Sequence, residues 1–235
     1  MIAKRSDVLE WFIMNDAIKA ICYNISINTS LKRSHTREVI AALLGYASYA
    51  AMLEEDKNPP RKYSLADAEY IVLNMPLGME RAKKFGVSDD NFGVFISELK
   101  AGLSVKVSES VDDFYDDHIR EILEEAIYQD AAESGEMAES NAYFPDYPDM
   151  DYDLVTSGDL WKSVEEWSIS DTGTLSGEYE LEEEQMYNGH QLNVQCKLTF
   201  MKAGRAGLVL LDDITECSTS RDYSWLDDEP LDIDD

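Results

Sequence analysis

Hydrophobic side chains in the first hundred residues recur at intervals of three and four, a spacing typical of amphipathic helices. The pattern predicts a helix over 7–23, capped by Asp7, and a second helix over about 36–55 that Asn58-Pro59-Pro60 ends. Shorter helices are predicted at 65–73, 79–84 and 92–99, and a strand is predicted at 103–107. We therefore expect the N-terminal half to be mainly helical.

The clearest helical pattern in the chain lies at 109–133. One side of this segment is apolar and consists of Val111, Tyr115, Ile119, Ile122, Leu123 and Ala126. The opposite side carries an i, i+4 row of acids, namely Glu109, Asp113, Asp117, Glu121 and Glu125. A second row, interrupted by Arg120, consists of Asp112, Asp116 and Glu124. Like charges at this spacing repel one another and destabilise a helix, so folding alone does not explain them.

Beyond a loop predicted at 134–158, alternating apolar residues predict strands within 160–216. The alternation is regular at 191–201, where one face carries Leu192, Val194, Cys196, Leu198 and Phe200. Asn188-Gly189 is a two-residue hairpin signal, and a glycine-bearing turn at 203–207 leads to a strand at 208–214. The predicted fold class is α+β: a helical N-terminal half, a long acidic helix, then a C-terminal antiparallel β-meander.

The charge of the chain is unevenly distributed. The 235 residues carry a net charge of −28, but 1–106 contains 14 basic and 13 acidic residues, whereas 107–235 contains 6 and 35. We therefore predict a neutral helical domain at 1–106 (for scaffold, dimerisation or target contact), an acidic α+β domain at 107–221 and an acidic flexible tail at 222–235. The acid excess argues against direct binding to nucleic acid or membrane surfaces and favours a basic partner.

The acidic helix has a charge density close to that of nucleic acid. Between 109 and 125 there are eight acidic residues and one arginine. At ~1.5 Å per residue this segment would be roughly 24 Å long. That gives about one net charge per 3.4 Å, as on one strand of a DNA duplex. A second acidic surface, standing in for the other strand, is expected from Glu165, Glu166, Glu178, Glu180, Glu182, Glu183 and Glu184.

The loop at 143–153 combines acids with aromatic residues. Its carboxylates are Asp146, Asp149, Asp151 and Asp153, and its rings are Tyr143, Phe144, Tyr147 and Tyr152. Carboxylates pair with arginine while tyrosine rings stack on guanidinium planes, so the loop is a candidate partner-binding segment. A solvated loop anchored by its aromatic side chains explains the same residues, and the sequence leaves both interpretations open.

In charge and helix character, 109–184 resembles the DNA-mimic inhibitors of phages and plasmids. These proteins share no sequence motif with one another, and the simplest of them are acidic throughout, whereas 1–106 is neutral here. The resemblance implies a non-enzymatic inhibitor that occupies the basic groove of a bacterial DNA-binding enzyme. The target would be a restriction, CRISPR or other defence complex, a topoisomerase or an RNA polymerase. Such mimics often act as dimers, so a homodimer is one expectation.

The sequence offers little support for catalysis. It contains no glycine-rich phosphate loop with lysine, no His-Glu-x-x-His and no Gly-x-Ser-x-Gly motif. Cys22, Cys196 and Cys217 are too few and too scattered to predict a disulfide scaffold or a zinc site. No cofactor and no metal are therefore expected. The absence of a signal peptide and of a long apolar run predicts a cytoplasmic protein, in the host bacterium if a phage encodes it.

One alternative assigns DNA binding to the neutral half. In a transcriptional regulator or antitoxin-like module, residues 1–60 would contact DNA and the acidic half would bind a partner. Lys32, Arg33 and Arg37 would then contact phosphates from a helix-turn-helix. An ordinary amphipathic helix with a basic N-terminal flank accounts for the same three residues.

Overall fold

The computed structural model describes residues 6–57, 60–178 and 190–223. It shows helices and a mixed sheet, so the predicted α+β class is confirmed. The helices are α1 (Ser6–Thr29), α2 (Arg33–Leu43), α3 (Tyr49–Lys57), α4 (Met75–Lys84), α5 (Asp89–Gly102), α6 (Val111–Phe114), α7 (Arg120–Glu133) and α8 (Glu136–Ser140). The strands are β1 (Tyr70–Val72), β2 (Lys106–Ser108), β3 (Asp149–Met150), β4 (Val155–Thr156), β5 (Glu166–Ser176), β6 (Gln191–Ala203) and β7 (Gly207–Arg221).

The strands follow the hydrogen-bonded order β2-β1-β7-β6-β5-β3, and β4 pairs with β5. The consecutive order of β5, β6 and β7 agrees with the predicted meander. Two features differ from it: β1, which lies within a predicted helix, and β2, which overlaps the strand predicted at 103–107, both join the sheet, and they pair in parallel, with Tyr70 opposite Lys106. Because β1 is antiparallel to β7, the sheet is mixed and is not confined to the C-terminal part.

The chain divides into two compact units. The described part of the first unit is 6–57, 60–117, 158–167 and 199–211, and that of the second is 118–157, 168–178, 190–198 and 212–223. The second contains 17 acidic and three basic residues, a net charge of −14, against 21 and 15, a net charge of −6, in the first. The acid excess is therefore greater in the second unit. The domain boundary predicted at 106/107 rests on charge alone and stays a prediction.

The core of the first unit lies among its helices. The C-terminal part of α2, Val39 to Leu43, is fully buried, and α2 packs with α1, α4, α5 and β1 in one apolar cluster. A second group of rings, Tyr70, Phe114, Trp167 and Phe200, packs edge-on or tilted at centroid distances of 5.3–6.4 Å. These ring contacts fix α6, which begins the acidic helical segment, on the sheet residues of the first unit.

The helix predicted over 36–55 is wrong in its middle, because the chain turns between α2 and α3. Gly45 has φ +82°, a conformation that ends helices and suits glycine. The N–H of Tyr46 donates to the carbonyl of Ala41 at 2.8 Å and closes the turn. A side chain at Gly45 would also meet Trp161 at 3.0 Å, so close packing requires glycine here.

The helix predicted over 65–73 is also wrong. Only Leu65–Asp67 forms a 3₁₀ turn, which Ser64 caps, and the chain then enters β1. All three residues of β1 are buried, and β1 pairs with β2 on one side and β7 on the other. Sheet pairing thus overrides the local helical pattern. The loop predicted at 134–158 likewise contains α8, β3 and β4.

In the second unit, α7 buries one side, made of Leu123, Ile127 and Ala131. Side-chain contacts tie the helices of this unit to β7: the Thr219 hydroxyl donates to the Asp130 carboxylate at 2.8 Å, and Arg221 pairs with Glu136 of α8 at 3.0 Å. The inward positions predicted on β6 are confirmed, since Leu192, Val194, Cys196, Leu198 and Phe200 are all buried.

The sequence predicted no disulfide scaffold and did not identify a pair, but two of the three cysteines are joined. Cys196 on β6 and Cys217 on β7 form a disulfide, with Cα atoms 4.1 Å apart, while Cys22 is a buried free thiol. The two strands bring together residues that are 21 positions apart in the sequence.

Candidate partner-binding surface

The acidic helical segment is interrupted by a π-helical turn, Tyr115–Ile119, between α6 and α7. A π turn holds one more residue than an α turn, so it shifts the helical register. The predicted single i, i+4 row from Glu109 to Glu125 is therefore wrong. Phe114, Tyr115 and Ile119 are each buried. The acids before and after the turn therefore do not continue one regular helical row.

In the first unit, the acids of α6 and the π turn are exposed: Asp112, Asp113, Asp116 and Asp117. The first two also stabilise the helix, because carboxylates in a first turn interact favourably with the helix dipole. The Ser110 side chain caps this turn by accepting from the N–H of Asp113 at 3.0 Å.

Three other acids of the first unit were predicted to contact a partner, and they lie outside α6 and the π turn. Glu109 precedes α6 and pairs with Lys100 at 2.7 Å, so its charge is already matched. Glu165 and Glu166 are exposed at the start of β5. The carbonyl of Glu165 accepts from the N–H of Lys202 at 2.9 Å, which fixes its backbone.

In the second unit, α7 keeps a regular acidic row. Glu121, Glu125 and Glu133 are exposed on one side of the helix, and Gln129 completes the i, i+4 spacing. Glu124 differs from them because its side chain is only 24% exposed and lies 3.7 Å from Arg120. Burial raises the pKa of Glu124, while Arg120 acts in the opposite direction. Glu124 thus belongs to an internal ion pair, whereas the other acids of the row face solvent.

The acidic–aromatic loop is anchored on β5 through its backbone. Its Asp146, Asp149, Asp151 and Asp153 are all exposed. Strand β3 pairs with β5 at Asp149, and β4 pairs with β5 at Val155. Between these pairings, the N–H of Asp151 donates to the Thr172 carbonyl at 2.9 Å, and the Thr172 hydroxyl donates to the Asp151 carboxylate at 2.7 Å. Asp149, Asp151 and Asp153 therefore project from a segment whose backbone is held at both ends, and Asp146 precedes it.

Asp171 is the structural carboxylate beneath this loop, and the sequence reasoning missed it. The residue is 1% exposed, and its Oδ1 accepts from the N–H of Asp153 at 3.1 Å and of Thr172 at 2.9 Å. The position of Asp171 in the sequence could have revealed it. Buried and exposed residues alternate along β5, and Asp171 falls on the buried side between Ile169 and Leu175. A buried carboxylate requires such hydrogen bonds.

All three basic side chains of the second unit have carboxylate partners. Arg120 pairs with Glu124, Lys197 pairs with Glu216 at 3.2 Å, and Arg221 pairs with Glu136 and Glu139. Because the unit has no further lysine or arginine, its remaining acids are not neutralised from within.

Several predictions lie outside the described residues. They concern Glu180, Glu182, Glu183, Glu184, the hairpin signal at Asn188-Gly189 and the tail from residue 224 onward. Glu178, the remaining acid of the predicted second surface, is described and exposed.

Two of the three basic residues of the DNA-binding alternative lie against tyrosine rings. The guanidinium of Arg33 lies 4.7 Å from the Tyr23 ring centroid, and that of Arg37 lies 5.4 Å from Tyr49. Lys32 is exposed at the start of α2. Contacts with tyrosine rings of the first unit thus account for the two arginines, and the next helix, α3, carries Glu54 and Glu55.

Within the described ranges, no group of three or more His, Cys, Asp or Glu side chains is arranged to hold a metal ion. No helix in this part of the chain is long and apolar enough to cross a bilayer. Comparisons of the chain with protein-family models, with curated proteins and with solved structures gave no match.

Proposed function

We propose that this protein is a DNA-mimic inhibitor that occupies the basic groove of a bacterial DNA-binding enzyme. The target class is a restriction, CRISPR or other defence complex, a topoisomerase or an RNA polymerase. The observation that supports this most is the second unit's excess of exposed acids, on α7 and on a loop hydrogen-bonded to β5, with every lysine and arginine of the unit already paired.

Backbone anchoring matters because a groove that binds DNA already has fixed positive charges. Carboxylates on a helix and on a strand-bound loop need little ordering when they meet those charges, so less conformational entropy is lost on binding. An acidic segment that orders only on binding would lose more. Acids that merely increase solubility need no fixed backbone.

We expect the protein to act in the cytoplasm of a bacterial cell, because the target enzymes work there. Direct binding to DNA is not expected, because duplex phosphates would be repelled by the net charge of −28. A homodimer remains part of the proposal as an expectation taken from known mimics.

The experiment is a capture assay with a competitor. The immobilised protein is exposed to the fraction of a bacterial lysate that first binds to a DNA column, and bound proteins are eluted with a 20-base-pair duplex. We expect at least one retained protein to be displaced by the duplex and to bind less as salt rises. The variant Glu121→Lys with Glu125→Lys should lose this protein, since both side chains face solvent on α7.

Two controls separate mimicry from general acidity. Polyglutamate at equal total charge should displace the captured protein much less well than duplex DNA. The variant Asp89→Asn with Asp90→Asn removes two exposed acids from α5 in the first unit and should bind as the wild type does. Equal displacement by polyglutamate and duplex, or full capture by the α7 variant, would contradict the proposal.

A further inference from the structure

The second unit holds its own arginines by a recurring arrangement of a tyrosine ring and carboxylates. Arg120 lies 5.8 Å from the centroid of the Tyr152 ring, donates to the Tyr152 hydroxyl and pairs with Glu124. Arg221 lies 5.7 Å from the Tyr223 ring centroid and pairs with two carboxylates of α8. Two of the three basic residues in this unit are therefore bound by the same combination of groups.

A third tyrosine lies beside a carboxylate in the same unit. Tyr143 and Glu178 form an antiparallel bridge in which the Tyr143 N–H donates to the Glu178 carbonyl at 2.9 Å and the Glu178 N–H donates to the Tyr143 carbonyl at 2.7 Å. Residues that exchange both hydrogen bonds lie directly opposite each other, so their side chains leave the backbone on the same face.

The ring of this third pair is more open to solvent than the other two. Tyr143 is 66% exposed, whereas Tyr152 and Tyr223, which lie against arginines, are each 51% exposed. Glu178 is exposed as well. The unit's two arginines and its one lysine are paired with other carboxylates, so no lysine or arginine of this unit is left for Tyr143.

We propose that Tyr143 and Glu178 form a binding site for an arginine side chain of the partner protein. The inference rests on the proposed function and deepens it, because it assigns to the target groove an arginine at the position that meets this pair. In this site the guanidinium lies over the Tyr143 ring while its N–H groups donate to the Glu178 carboxylate, as Arg221 does with the Tyr223 ring and Glu136.

The geometry selects arginine over lysine. A guanidinium is planar, stacks on an aromatic face and presents several N–H donors in one plane, so it can use the ring and the carboxylate together. A lysine ammonium is a compact charge that is more strongly hydrated, and it gains mainly from the carboxylate. A ring and a carboxylate side by side therefore favour arginine, whereas a carboxylate alone distinguishes the two cations much less.

The test measures binding of fluorescein-labelled nona-arginine and nona-lysine to the full chain by fluorescence anisotropy at fixed salt. We expect the wild type to bind nona-arginine more tightly than nona-lysine. The variant Tyr143→Ser with Glu178→Gln should weaken nona-arginine binding roughly fivefold, the range expected for one exposed ring and one charged hydrogen bond. The same variant should weaken nona-lysine binding by no more than about twofold.

Two variants control for loss of charge and loss of shape. Asp90→Asn removes one exposed carboxylate from the first unit and should change both peptides equally and slightly. Tyr143→Phe keeps the ring and should keep most of the arginine preference. An arginine-to-lysine ratio that is unchanged in Tyr143→Ser with Glu178→Gln overturns the site, and so does a loss of the preference in Tyr143→Phe.

The two proposals fail in different ways. If the captured protein is still displaced by duplex DNA but the peptides show no dependence on this pair, only the arginine site is wrong. If the peptides depend on the pair but duplex DNA displaces nothing from the captured fraction, only the DNA-mimic function is wrong.

Discussion

The buried Lys202 of the first unit should lower the stability of the protein at neutral pH. The residue is 1% exposed, and its ammonium donates to the Arg205 carbonyl at 2.9 Å. Burial and the nearby charge of Arg61 together lower the pKa of Lys202 to about 7, while Asp159 and Glu55 act in the opposite direction. We predict that Lys202→Met stabilises the protein at neutral pH and removes a pH dependence between pH 7 and 9.

The magnitude follows from the difference between the folded and unfolded pKa. An unfolded lysine titrates near 10.5, so from pH 7 to 10.5 the unfolded chain binds more protons at this residue than the folded protein does. The free energy of unfolding therefore rises with pH across this window. From pH 7 to 9 the increase is about 2 kcal/mol, and at pH 7 the shifted pKa costs about 4 kcal/mol. Since methionine also loses one hydrogen bond, the expected gain at pH 7 is about 3 kcal/mol.

The assay is urea unfolding followed by tryptophan fluorescence at pH 7, 8 and 9 for the wild type and Lys202→Met. The series stops at pH 9 because Cys22 opposes the effect above it. Burial raises the pKa of the Cys22 thiol from 9.0 to about 11, so the unfolded chain loses that proton first and stability falls. Curves for the wild type and the variant that stay parallel from pH 7 to 9 would refute the assignment of this pH dependence to Lys202.

Two further predictions concern glycines and cysteines. Gly207→Ala should lower the free energy of unfolding by about 3 kcal/mol or more, because the added Cβ would overlap a backbone carbonyl oxygen, whereas Gly93→Ala in open space on α5 should raise it by about 0.5–1 kcal/mol. If Gly207→Ala and Gly93→Ala change the thermal stability of the protein similarly, the close backbone contact at Gly207 is refuted. Alkylation of the unfolded, unreduced protein should label only Cys22, and reduction should expose Cys196 and Cys217. Three labelled cysteines without reductant would show that the pair is reduced.

The elements that could be predicted from the sequence are those whose pattern agrees with their packing. Strand β6 is one, since five alternating apolar residues are all buried as expected. Helix α5 is another, with the predicted 92–99 lying inside Asp89–Gly102 and Ser88 as its cap. Strand β1 could not be found, because three residues that pair on both sides carry no periodicity of their own, and their partners lie far away in the sequence.

The acidic side of the helical segment shows a similar limit. The pattern identified the helix and its exposed acids, but the register depends on the π turn, and helical periodicity carries no signal for one extra residue. Phe114 and Tyr115 are adjacent and both buried, which a single regular apolar face does not predict. The pairing of Cys196 with Cys217 depends on how β6 and β7 are aligned, and alternation alone does not fix that alignment.

Acid count by itself overstates the surface available to a partner, because the carboxylates of the second unit have different roles. Asp171 holds the loop backbone, Asp130 accepts from Thr219, and Glu136 is paired with Arg221, so these acids maintain the fold. Removing one of them would disturb the scaffold and could be mistaken for loss of a binding contact. Glu121 and Glu125 face solvent on a regular helix, so charge reversal there changes the surface field with little loss of packing. If a partner requires the acidic surface, charge reversal at Glu121 and Glu125 must weaken its binding. If only variants of the buried and paired carboxylates weaken binding, the loss reflects a disturbed fold.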